Sequence, residues 1–250
     1  MPDLVLLRHG QSTWNAENRF TGWTDVPLTA AGVEEARLAG RQLRDEQEHG
    51  RLDLRVVHTS VLSRAVQTAT VALDELGRPW LAVRRHWRLN ERHYGALQGK
   101  NKKETADAFG SEQVAAWRRS YDVPPPALEL DDDRHPRHDL RYRDLRASVL
   151  PATECLADVV VRVVPYFEDV IVPDLLAHGG VLVVAHGNSI RALVKYLKGI
   201  GDDAIVGLEI PTGVPWRLRF DARLELMEDG FLGDPTEVAA RQELVRRQAG

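Results

Sequence analysis

An α/β architecture, helices layered on a sheet with parallel central strands, is expected for this chain. Two short runs, residues 4–7 near its start and 181–185 far along it, are apolar throughout, without the alternation of a half-exposed strand. Such runs mark strands buried on both faces. Helix-period segments lie between them, and alternation of the two kinds of element argues for α/β layering. Thr29 can cap a helix in which Val33, Ala36, Gly40 and Leu43 recur at three- and four-residue steps. A strand at Val56 and Val57 leads into a second helix over residues 60–76. From about residue 90 to 150 the rhythm breaks, with three consecutive prolines from Pro124, three aspartates from Asp131, and the pair His135 and His138. This segment reads as an inserted lid over a site, helical near Glu112 to Arg119 and then loop. Residues 154–171 return to helix, with Pro165 expected to bend or shorten it. Trp216, Leu218 and Phe220 alternate, and Leu224 and Leu226 follow Asp221 and Ala222, the pattern of a hairpin at a sheet edge. A charged helix from about Thr236 to Arg247 falls in a C-terminal tail of about residues 231–250. No low-complexity linker divides the chain, so one domain over residues 1–250 is expected.

Composition excludes several classes of function. The 250 residues carry 33 Lys and Arg against 37 Asp and Glu, a net charge of −4, with 43% hydrophobic residues. That balance suits a globular chain with a sizeable core and gives no general attraction for nucleic acid or an anionic membrane. Any anion must then be held by a local cluster of cations. Cys155 is the only cysteine, which removes internal disulfides and cysteine-rich zinc sites and fits a reducing, cytoplasmic setting. The apolar run from Val159 to Val164 is short and broken by Arg162, so neither a targeting segment nor a membrane span is expected.

The most informative feature is an echo. Val5-Leu6-Leu7-Arg8-His9-Gly10-Gln11-Ser12 and Leu182-Val183-Val184-Ala185-His186-Gly187-Asn188-Ser189 share the order apolar strand, histidine, glycine, carboxamide, serine. Ligands of open α/β sheets sit beyond the carboxyl ends of parallel strands, where helix N-termini also point. Each histidine stands where its strand ends, each glycine permits close backbone approach to a bound group, and Ser189 can cap a helix over residues 190–197. Two such strands side by side bring two imidazoles into one crevice.

Neutral imidazole is a nucleophile that can attack phosphorus and carry a phosphoryl group, splitting one transfer into two in-line steps. The charge spread over the equatorial oxygens then calls for fixed cations and donors. Arg8, Arg64 on the first turn of the helix after His58-Thr59-Ser60, and His186 are the candidates, with Asn15 and backbone N–H groups near Thr21 and Gly22 as further donors.

Four segments, Leu7 to Asn15, Asn18 to Asp25, Leu89 to Gly99 and Ala185 to Leu193, resemble the cofactor-dependent phosphoglycerate mutases of the histidine phosphatase superfamily, and Ile210 to Pro215 is similar to them as well. The likeness runs from Leu4 to about Pro215. It implies a three-layer αβα sandwich around a mostly parallel sheet, and interconversion of 3-phosphoglycerate and 2-phosphoglycerate through a phosphohistidine primed by 2,3-bisphosphoglycerate, without a metal. It also implies His9 as nucleophile, Arg8, Arg64 and His186 as phosphoryl-binding residues, and Glu91 as general acid/base. Lys102, Arg118 and Arg119 match residues that grip the carboxylate and the non-reacting phosphate, with Tyr94, Gly187 and Asn188 beside them. One of the two arginines is expected on solvent, because adjacent helical residues point about 100° apart. A homo-oligomer is a family expectation.

The alternatives within reach are a phosphatase on the same scaffold, with water as acceptor, and a non-catalytic module that binds phospho-ligands. The loop from Asp131 to Asp139, with its two histidines, reads as a locally paired surface rather than a metal site. Arg241, Arg246 and Arg247 read as a solvated helix face.

Overall fold

A computed structural model describes residues 1–247, the side chain of Arg247 excepted, so that residue's place in the basic tail cluster lies outside the described residues, as do residues 248–250. Strand β1 (Asp3–Arg8) is followed by helices α1 (Thr13–Ala16) and α2 (Ala30–Glu48), β2 (Val56–Thr59), α3 (Ser63–Leu76) and β3 (Ala82–Arg85). Then come α4 (Lys102–Phe109), α5 (Ser111–Arg119), α6 (Leu156–Tyr166), α7 (Val172–His178), β4 (Gly180–Ala185), α8 (Gly187–Lys198) and α9 (Asp202–Ile205). The hairpin β5 (Pro215–Phe220) and β6 (Leu226–Phe231) precedes α10 (Pro235–Arg247).

The six strands form one sheet in the order β3-β2-β4-β1-β5-β6. The first four are mutually parallel and the hairpin adds two antiparallel strands. Successive side chains of a strand point to opposite faces, and the two core clusters divide accordingly. Val5, Leu7, Leu182 and Val184 pack with Ala39, Leu43 and Leu73 of α2 and α3. Leu4, Leu6, Val181 and Val183 pack with Val159, Val163, Ile190 and Leu193 of α6 and α8. Burial on both faces is why these strands carry no polar alternation. Among the described residues no helix is long and apolar enough to cross a membrane.

Several expectations are corrected in detail. Helix α3 starts at Ser63 instead of residue 60, because the Ser60 hydroxyl is turned inward to His186 and the Leu62 N–H donates to it in a turn. Helix α8 begins at Gly187 with His186 as N-cap; Ser189 lies inside it, its hydroxyl accepting from the His186 N–H at 3.0 Å. As expected of Pro165, the α-helix is shortened, ending at Tyr166; helical backbone nevertheless goes on through a π-turn at Phe167–Ile171 and α7 to His178. Leu224 belongs to the hairpin turn, with φ of +62°, and not to β6. Strand β3 and helix α4 were not anticipated. All four β3 residues are exposed, and only Thr105 of α4 is buried, so neither leaves an apolar stripe in the sequence.

Candidate active site

Arg8 and Ala185, the last residues of β1 and β4, are register partners, so His9 and His186 emerge side by side at the carboxyl end of the sheet. Their rings lie edge to face with centroids 4.9 Å apart, and they are 2% and 0% exposed. His9 Nδ1 lies 2.7 Å from the Gly10 carbonyl. A carbonyl only accepts, so Nδ1 carries the proton and Nε2 keeps its lone pair. Burial first, then the Arg64 and Arg8 cations, hold this imidazole well below its usual range, which leaves it neutral at physiological pH.

Arg64 Nε donates to His9 Nε2 at 3.3 Å, while its other two nitrogens donate to the carbonyls of Thr24 and Gly22 at 3.0 and 2.7 Å. The guanidinium is thereby fixed against the loop that carries Thr21 and Gly22. Burial brings it down to about 10, still charged at neutral pH. Arg8 donates to the Ile210 carbonyl at 2.7 Å, and its Nε is buried without a hydrogen-bond partner. His186 Nε2 is 2.7 Å from the Ser60 hydroxyl, and its Nδ1 is likewise buried and unpartnered. Burial, then Arg64 and His9, lower His186 strongly.

Glu91 comes from the 90–150 segment. It is 8% exposed, and its Oε1 accepts from the backbone N–H groups of Arg92 and Asn188 at 2.8 and 3.1 Å. It makes no surface ion pair with Arg92, whose guanidinium lies 4.7 Å over the Tyr94 ring and donates to the Arg118 carbonyl. Asn188 Nδ2 donates to the Tyr94 hydroxyl at 3.2 Å.

One cleft gathers these groups. Arg8, His9, Asn15, Thr21, Gly22, Arg64, Glu91, Tyr94, Lys102, Arg118, Arg119, Gly187 and Asn188 all line it; His186 stands behind His9. The two glycines of the echo separate here. Gly187 borders the cleft, but Gly10 is required by the fold, since a Cβ there would stand 2.1 Å from the Gly32 carbonyl oxygen. Both arginines of the adjacent pair are half-buried and border the cleft, contrary to the expectation that one lies on a solvated face. Burial lowers Arg118 to about 10, and Arg119 bonds the Glu209 carboxylate at 2.6 Å, because residues 205–210 fold across that side.

Further lining residues were not foreseen: Arg19, Phe20, Arg191, Leu208, Glu209, Ile210 and Val245. Arg19, Phe20, Arg191 and Ile210 lay in segments that carry the resemblance, and Arg191 is also one helical turn beyond Gly187 and Asn188 and therefore on their face. Among the described residues seven cations (Arg8, Arg19, Arg64, Lys102, Arg118, Arg119, Arg191) meet two carboxylates (Glu91, Glu209) in this cleft, against a net charge of −4 for the chain.

The loop from Asp131 to Asp139 is paired in part, with His135 buried and its Nε2 unpartnered. Asp132 pairs with Arg134 at 2.7 Å, and Arg141 bridges Asp139 and Asp25. Arg241 in α10 is not on a solvated face: it reaches Glu35 at 3.6 Å and the Thr212 carbonyl at 3.4 Å. Among the described residues no group of three or more His, Cys, Asp or Glu is placed to hold a metal ion.

Residues 4–139 and 129–225 match the family model described as the histidine phosphatase superfamily, branch 1. The chain belongs to the histidine phosphatase superfamily. Within that superfamily it is 54% identical over 248 residues, 99% of this chain and 98% of the relative, to the 2,3-bisphosphoglycerate-dependent phosphoglycerate mutase of Nitratidesulfovibrio vulgaris strain DP4. The protein of the same name from strain Miyazaki F matches it equally. Among solved structures, mycobacterial glucosyl-3-phosphoglycerate phosphatase in complex with VO3 superposes with a TM-score of 0.69 at 23% identity, covering 92% of this chain and 97% of that one. A putative alpha-ribazole-5'-P phosphatase from Escherichia coli K-12 gives 0.67 at 21%, covering 93% and 96%. At those identities the superfamily likeness speaks for the fold alone.

Proposed function

We propose that this histidine phosphatase superfamily member is a cytoplasmic phosphoglycerate mutase of glycolysis and gluconeogenesis. It interconverts 3-phosphoglycerate and 2-phosphoglycerate through a phosphohistidine on His9. The observation that carries this reading is a buried, neutral imidazole whose lone-pair nitrogen faces a guanidinium, at the floor of a cleft with seven cationic side chains. The likeness over nearly the whole chain to proteins named as mutases supports a hydroxyl of the substrate, not water, as the acceptor.

In this reading His9 Nε2 attacks phosphorus, and Arg8, Arg64 and His186 meet the negative charge spread over the equatorial oxygens. Glu91 takes the proton of the attacking hydroxyl and returns it in the reverse direction; it is held for that by the two N–H groups bonded to its Oε1. Lys102, Arg118, Arg119, Tyr94 and Asn188 receive the carboxylate and the phosphate that does not react, with Asn15, Thr21, Gly22 and Gly187 completing the wall. The unpartnered Nε atoms of buried Arg8 and Arg191 fit an anionic ligand with several charged ends, as 2,3-bisphosphoglycerate is. When bound, that compound supplies the phosphoryl group that loads His9; Arg8, Arg64 and Lys102 are the residues to hold it. His9 lies at the floor of the cleft, 2% exposed, where a bound ligand above it limits the access of water to the phosphohistidine.

The test is labelling with 2,3-bisphosphoglycerate carrying radioactive phosphorus. Wild-type protein should acquire acid-labile, base-stable phosphate, and His9→Ala none. Label persisting in His9→Ala would move the nucleophile elsewhere.

A further inference from the structure

Of the two carboxylates in the cleft, Glu91 has a role in the proposed chemistry and Glu209 has none. A carboxylate inside an anion-binding cleft works against its ligand, so its presence calls for a reason. Glu209 is 8% exposed, borders the cleft, and bonds Arg119 at 2.6 Å. The same stretch of chain also engages the neighbouring arginines: Arg191 donates to the Ile205 carbonyl at 2.6 Å, Arg119 to that of Val206 at 3.4 Å, and Arg8 to that of Ile210 at 2.7 Å. Residues 205–210 thus form a strap whose carbonyls and one carboxylate occupy cations on one side of the cleft. On the sheet side, Arg64 is committed only to the loop carbonyls and to His9.

We infer that Glu209 is a built-in counter-anion that sets specificity: it neutralises Arg119 in the empty cleft and must be displaced when the second anionic end of a two-ended ligand arrives. The inference rests on the mutase reading for the identity of that ligand. A single phosphate held at His9 leaves the Arg119–Glu209 pair intact. A ligand with a phosphate and a carboxylate takes Arg119 from Glu209 and leaves that carboxylate facing added negative charge, so Glu209 weakens the binding of the longer ligand selectively. The pair lowers retention of product while keeping the arginine cluster stable when empty, since an uncompensated buried cation is costly.

Calorimetric titration of the unprimed enzyme, which holds 3-phosphoglycerate without turnover, separates the possibilities. Glu209→Gln should bind 3-phosphoglycerate more tightly, on the order of tenfold, and inorganic phosphate with unchanged affinity. Glu209→Asn must move in the same direction, and Glu209→Asp, which keeps the charge, should stay near wild type; circular dichroism establishes that each variant is folded. Glu209→Gln should also melt lower when empty and gain more from 3-phosphoglycerate than wild type does. Unchanged or weaker binding of 3-phosphoglycerate by the two neutral variants would overturn the inference, and would make Glu209 a residue that orients Arg119 for the ligand. Equal gains for phosphate and 3-phosphoglycerate would overturn the selectivity. A wild-type protein that binds phosphate but not 3-phosphoglycerate would instead reject the mutase reading.

Discussion

Two ordinary contacts and burial suit His9 to the nucleophile's role proposed for it. The Gly10 carbonyl accepts a hydrogen bond from Nδ1–H, Arg64 stands at Nε2, and burial keeps the ring uncharged. Lys102 shows the same forces acting on a cation: burial first, then Arg118 and Arg8, bring its ammonium down to about 7. Below that pH it is charged in the empty cleft; above it, anion binding has to take up a proton. The KM for 3-phosphoglycerate should therefore rise on the alkaline side, by up to about tenfold per pH unit above about pH 7, and Lys102→Met should remove that dependence. A wild-type KM that stays flat to about pH 9 would contradict it. The histidine pair was legible because each histidine closes an apolar run and is followed by glycine, a carboxamide and serine. Ser60 and Glu209 were not, because their partners His186 and Arg119 are distant in sequence and meet them only through the fold.

Elements follow the same logic. β1 and β4 could be read because burial on both faces leaves continuous apolar runs, whereas β3 owes its conformation to pairing with β2 and all four of its residues are exposed. Pro165 marked in the sequence where the α-helix is disturbed, but not that a π-turn would carry the chain on into α7. Helix α10 could be read as a helix but not as part of the site. Val245 borders the cleft, and Arg241 and Gln242 reach Thr212 and Glu209 by long contacts of 3.4 and 3.5 Å to their carbonyls. Such contacts hold weakly. Deletion of residues 235–250 should leave the sheet folded and increase the share of phosphoryl groups lost to water; measuring phosphate release against isomerisation checks this, and an unchanged ratio would remove α10 from the site.

At the scale of the whole molecule, the fold buries imidazoles in their neutral form. His58 and His86 are brought down to about 4 and His93 to about 3, in each case by burial first, and His9 and His186 lie well below their usual range. The unfolded chain takes up these protons near pH 6.5, roughly the free imidazole value, while the folded chain does not. Stability from these groups is therefore complete above that pH and is lost as pH falls toward 4 and 3. Denaturant unfolding should show stability falling steeply between about pH 6.5 and 4, with His93→Gln reducing the slope; a flat profile would contradict it. The α/β layering was legible from the sequence, but the strand order was not, because a crossover leaves no mark on the residues it skips. Conversion of 3-phosphoglycerate to 2-phosphoglycerate in excess chelator, with and without catalytic 2,3-bisphosphoglycerate and with phosphate followed in parallel, decides between a mutase and a phosphatase. Isomerisation stimulated by the primer, with little phosphate released, is the predicted result. Phosphate release without isomerisation would contradict it and make the chain a phosphatase.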